Sequence, residues 1–125
     1  MKRSFIADRL VFITYQNKRI LLIDVSGCSA AEVEMIFRAT PELVTTLPPA
    51  SVLVLTDYTG SSFNQDTVRA IKETAVFNKA YVKKSAVVGA SSLPPDFNKD
   101  VRNFSHRKFP AFETREEAMA WLVQD

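Results

Sequence analysis

The stretch Leu53-Val54-Leu55-Thr56-Asp57-Tyr58-Thr59-Gly60-Ser61-Ser62 decides how this chain is read. Apolar residues run without polar alternation towards Asp57, as a strand covered on both faces requires, and then give way to a short polar turn. A helical pattern starts near Asn64. In an open α/β sheet, ligands and modifications gather at the carboxyl ends of strands, and a following helix offers backbone N–H groups to an anion. Asp57, Thr59, Gly60, Ser61 and Ser62 are therefore the expected anion, modification or partner site. The same residues also have a purely structural reading, in which Asp57 accepts backbone N–H groups inside the turn and Thr59, Ser61 and Ser62 cap the helix.

Outward from this stretch, strands and helices alternate. Leu10 to Tyr15 reads as a strand, Gln16-Asn17-Lys18 as a turn, and Arg19 to Val25 as a second strand holding the run Ile20-Leu21-Leu22-Ile23. The first strand is then an antiparallel edge, suited to pairing between two copies, so a homodimer is an expected assembly. Ser29 with Glu32 reads as a capping box. Val33, Ile36, Phe37, Leu43, Val44 and Leu47 continue one apolar face across Pro41, which predicts one kinked helix or two helices with Thr40 capping the second. Val52 to Leu55 is the next strand, and the helix from about Asn64 to Asn78 turns Val68, Ile71, Ala75 and Val76 to one side.

Ala86 to Gly89 is a further buried strand, and Pro94-Pro95 leads into a helix carrying Phe97, Val101 and Phe104. A short strand near Phe109 to Phe112 follows. Thr114 with Glu117 reads as a second capping box, opening a helix that buries Ala118, Trp121 and Leu122. The expectation is a single α/β domain over residues 1–125, with a mainly parallel sheet of about five strands, an antiparallel first edge and about four helices. Leu22, Val54 and Val87 are expected to share one buried layer.

Composition narrows the function classes. An apolar share of 46% in 125 residues suffices for a core. A net charge of +2, with basic residues never more than two in a row, argues against a nucleic-acid partner. No apolar run approaches the ~20 residues of a membrane span, and the start Met1-Lys2-Arg3-Ser4-Phe5-Ile6-Ala7-Asp8 breaks into charge before any signal-peptide core can form, so a cytoplasmic location is expected. The single Cys28 excludes an internal disulfide and reads as a small buried residue.

Three glycines, Gly27, Gly60 and Gly89, supply neither a Walker loop nor a Gly-x-Gly-x-x-Gly fingerprint, and no cofactor is expected. His106 is the lone histidine, which with one cysteine removes nearly all zinc ligand sets, so no metal is expected either. A Ser/His/Asp triad would have to use His106 at a helix end, and no nucleophile elbow occurs. No catalytic residue is therefore assigned. Lys83 and Lys84 read as the solvated start of a strand, at the opposite end of a parallel sheet from Asp57. Phe97, Val101, Phe104, Phe109 and Phe112 form a candidate apolar pocket for a small molecule or lipid.

The segments RILLIDVSG, SVLVLTDYTGSSF, NKAYVKKSAVVGASSL and FETREEAMAWLVQD, in that order, resemble the SpoIIAA-like branch of the STAS superfamily, distantly akin to the CRAL-TRIO fold. The resemblance covers the chain from about Leu10 onward. It implies a regulatory domain, like the anti-sigma factor antagonists, that works by binding a partner protein rather than by turnover. In sporulation-type relatives an Asp-Ser-Ser-Gly turn carries a serine phosphorylated by a partner kinase; the similar tetrad here is Asp57-Tyr58-Thr59-Gly60. Thr59 takes the place of the phosphoacceptor. Tyr58 departs from that pattern, and the two serines follow the glycine.

Overall fold

Four consecutive aliphatic residues, Ile20 to Ile23, need cover on both faces, and they occupy the middle of β2 (Lys18–Asp24) with relative exposures of 7% or less. The computed structural model describes residues 2–124 and orders the strands β1-β2-β3-β4-β5. β1 (Leu10–Tyr15) is an antiparallel edge, while β3 (Val52–Asp57), β4 (Val82–Val88) and the two-residue β5 (Ala111–Phe112) run parallel to β2. The fold class expected from the alternation is the one found.

Strands laid down in chain order with right-handed crossovers send the connecting helices to one face of the sheet. On that face α2 (Ala30–Arg38), α3 (Thr40–Val44), α4 (Gln65–Asn78) and α5 (Phe97–Ser105) close a core around Leu21, Ile23, Val54 and Val87. The opposite face is covered by α6 (Arg115–Leu122), whose Ala118 and Leu122 meet Ile20, Leu22, Leu53, Leu55, Ala86 and Val88. Complete burial of one such side chain, Leu55, contributes roughly 2 kcal/mol. Among the described residues no helix is long and apolar enough to cross a membrane.

Several local expectations are corrected. The described chain has six α-helices: α1 (Lys2–Arg9) precedes the first strand as an addition to the expected set, and Pro41 divides the segment after β2 into α2 and α3, the second of the two expected arrangements. Ala39, not Thr40, stands at the start of α3. Thr40 is buried instead, donating to the Phe37 carbonyl at 2.8 Å and accepting from Asn78 Nδ2 at 3.0 Å. Ser29 and Glu32 form the full capping box. Thr114 accepts from the Glu117 N–H at 3.1 Å, but the Glu117 carboxylate accepts the Thr114 hydroxyl rather than turning to the cap backbone.

Val76 is exposed, since α4 turns Ile71 and Ala75 inward and leaves its neighbour on the outer flank. Leu22 does not share a layer with Val54 and Val87. It lies in register with Leu55 and Ala86 on the α6 face, whereas Leu21 is the partner of Val54. In an unbroken apolar run each residue still alternates face with its neighbour, and hydropathy alone does not tell the two faces apart.

Candidate functional site

β2 and β3 end in register on acidic residues, with Asp24 the Cα partner of Asp57. Like charges opposite each other on neighbouring strands repel. Arg115, the first residue of α6, reaches back to both: Nε donates to Asp57 Oδ2 at 2.8 Å, and Nη2 lies 3.4 Å from Asp24 Oδ1. A cation at a helix N-terminus opposes the helix dipole, so the two carboxylates account for its presence there. Arg9 adds a second cation, 3.6 Å from Asp24 and donating to the Ser26 carbonyl at 2.8 Å. Burial pushes the Asp24 carboxyl up, but the hydroxyl and N–H of Ser26, with Arg115 and Arg9, outweigh it and hold the group below its ordinary 3.8.

Above this ion-pair cluster three turns lock together. Asp57 Oδ1 accepts the Thr59 N–H at 2.9 Å, the Thr59 carbonyl accepts the Gly27 N–H at 2.8 Å, and the Gly60 N–H donates to Ser92 Oγ at 2.8 Å. The Ser62 N–H donates to the Cys28 carbonyl at 3.0 Å. Gly89 lies beneath Thr59 with φ +82°, and a Cβ there would collide with the Thr59 backbone. The loop after β4 thus supports the turn after β3 from below.

The proposed site residues separate in this frame. Thr59 and Gly60 form the exposed tip, and among the described residues the Thr59 hydroxyl has no hydrogen-bond partner. Ser62 is exposed too. Asp57 is only 6% exposed and serves as the anchor of the turn. Ser61 is turned inward, its hydroxyl donating to the Tyr58 carbonyl at 2.6 Å, which takes it out of any anion site. The residue that broke the expected pattern, Tyr58, is core: its ring stacks on Phe37 at 6.0 Å and meets Phe63 and Phe97 at 5.8 and 5.9 Å. Burial raises its phenol pKa. The following helix does not begin beside Thr59. Asn64 caps it, accepting from the Thr67 N–H at 2.9 Å, with Thr67 Oγ1 returning the bond.

The expected apolar pocket also divides. Phe97, Val101 and Phe109 line a small cavity of about 40 Å³ between the sheet and α2 to α5. Phe104 is exposed on the outer flank of α5, with Lys72 Nζ 5.8 Å from its ring centre. Phe112 lies on the other face of the sheet, 5.7 Å from Trp121. The cavity's lining includes Thr40, Tyr58, Thr74, Asn78, Ser85 and Arg107, so polar groups interrupt its mainly apolar wall.

Arg107, one of the dispersed basic residues to which the sequence gives no particular role, is the largest departure. It enters the core, where Nη1 donates to the Ala75 carbonyl at 2.9 Å and Nη2 to Ser85 Oγ at 2.6 Å. Arg115 was equally unforeseen. Its signal was present in the chain: two strands ending on aspartate require a cation nearby. Lys84 folds onto Trp121 and donates to the Trp121 and Gln124 carbonyls, tying down the end of α6, while Cys28 is buried as expected.

No protein-family model matches the chain, and no curated protein matches it either. A solved structure does resemble it: the crystal structure of an uncharacterized protein from the DUF3478 family with a SpoIIAA-like fold, from Shewanella loihica PV-4. The two share 16% identity and a TM-score of 0.70, over 91% of this chain and 92% of that one. The fold of the present chain is therefore SpoIIAA-like.

Proposed function

We propose that the domain is a non-enzymatic regulatory module that recognises a partner protein through the tip Thr59-Gly60 and is switched by phosphorylation of Thr59. The observation that carries this reading is the contrast within one turn. The Thr59 N–H and carbonyl and the Gly60 N–H are all engaged, whereas Thr59 itself is exposed and its hydroxyl makes no hydrogen bond among the described residues. A rigid tip of this kind loses little conformational entropy on binding, and a phosphate there would add about two negative charges to the surface a partner meets. The acidic pair below the tip is neutralised by Arg115 and Arg9, which favours a structural role over acid–base chemistry.

The test compares wild type with Thr59→Glu in quantitative copurification, read against Asp57→Ala as a stability control. Thr59→Glu is expected to change the set of bound proteins with the melting temperature nearly unchanged. Asp57→Ala is expected to cost roughly 1–2 kcal/mol, since it removes the turn cap and the shorter of the two ion pairs of Arg115. Identical partners in identical amounts for wild type and Thr59→Glu would make the turn a scaffold. Native mass spectrometry of the same samples addresses the alternative of an apolar carrier. The 40 Å³ cavity must widen for that role, and a copurifying apolar mass would favour it.

A further inference from the structure

At the end of the sheet opposite Thr59, a groove of about 770 Å³ opens between the start of β4, α5 and the end of α6. Its cations are Lys79, Lys83, Lys99, Arg102, Arg107 and Lys108, with Lys84 engaged on Trp121 alongside them. No carboxylate lines it, and among the described residues none of these cations is in an ion pair. Seven like charges around one concavity repel each other, an arrangement that an anion relieves.

Arg107 gives this charge a fixed geometry. Two of its five N–H donors hold Ala75 and Ser85, and its guanidinium stands 4.9 Å from the Phe109 ring centre. Among the described residues the remaining donors have no acceptor, and the residue lines both the groove and the inner cavity. Burial lowers the guanidinium from 12.5 to about 10, leaving it cationic at neutral pH. On the cavity side, Asn78 Oδ1 is buried without a donor. Val82, Phe109, Pro110 and Trp121 supply apolar wall around the charges.

We infer that this groove is a binding site for an organic phosphate monoester, with the phosphate on Arg107 and the attached apolar group against Phe109 and Trp121. A carboxylate would be met by one guanidinium, whereas a phosphate dianion calls on several cations at once. The site lies at the far end of the parallel strands from Asp57, so it is independent of the Thr59 reading. Both soluble esters and lipid headgroups carry this chemistry.

Phenyl phosphate serves as the probe in isothermal titration, with inorganic phosphate as the comparison. Phenyl phosphate is expected to bind at least about tenfold more tightly than inorganic phosphate. The paired change Lys83→Ala with Lys99→Ala is expected to weaken it about tenfold and to flatten its salt dependence, with no loss of melting temperature. Arg107→Lys keeps the charge and loses the fork, and binding should be lost. If that variant fails to fold, the lysine pair still decides the matter. Cosedimentation with vesicles of phosphatidic acid, but not of phosphatidylcholine, that depends on the same residues would assign a lipid headgroup. Phenyl phosphate binding without such cosedimentation would assign a soluble ester. No binding of phenyl phosphate up to about 10 mM, or binding that all these substitutions leave unchanged, overturns the inference.

Discussion

Gly89 and Thr59 touch so closely that a single carbon added to Gly89 would strike the Thr59 backbone and fall 2.7 Å from its Oγ1. Gly89 also adopts φ +82°, where side chains are strained. Two costs therefore meet at one position. Gly89→Ala is expected to destabilise the domain by roughly 2–4 kcal/mol and to displace the Thr59 turn. Gly27, at φ +67° with open space around its Cβ position, carries only the conformational cost, and Gly27→Ala should lose about 1 kcal/mol. Chemical denaturation of both variants measures the difference; equal losses would mean that the contact yields.

Acid should act on the aspartate cluster. Asp24 has a folded pKa below its ordinary 3.8, so its contribution to stability is complete above 3.8 and is lost as pH falls through the lower folded value. Wild type should therefore lose melting temperature between about pH 5 and pH 2 more steeply than Asp24→Asn. Thermal melts across that range provide the check. Parallel curves for the two proteins would assign the acid sensitivity to other carboxylates.

The two core layers make a separate claim. Leu21 and Val54 are register partners beneath α2 to α5, and Leu22 faces α6. In a double-mutant cycle, Leu21→Ala and Val54→Ala should couple by about 0.5 kcal/mol or more, while Leu22→Ala and Val54→Ala should sum within about 0.5 kcal/mol. Denaturant unfolding of the five variants reads this directly, and a reversed order of the two couplings would contradict the layer assignment.

What was legible in the chain was what is local. The run Ile20 to Ile23, the Ser29 cap and the α4 boundary at Asn64 each declare themselves within a few residues, and β1 to β4 follow from them. The face on which Leu22 lies was hidden, because a strand apolar on both sides shows no alternation. Phe97, Val101 and Phe104 share a helical spacing, yet the last turn of α5 carries Phe104 out to the flank beside Lys72. At the site, the polar turn and the exposed Thr59 were visible from composition and order. Arg115 and Arg107 were not, because they act 58 and 22 residues away along the chain from Asp57 and Ser85, and only tertiary structure reveals a charge recruited at such distances.

α6 has one further consequence. Arg115 clasps it at one end through Asp57, and Lys84 clasps it at the other through the Trp121 and Gln124 carbonyls. Between these clasps its hold on the sheet rests mainly on Ala118 and Leu122. The helix is a buckled plate over an otherwise finished sheet. Releasing both clasps would leave only these apolar contacts to keep a greasy strip from Leu22 through Leu55 to Ala86 covered, while the four-helix side is closed by contacts of its own.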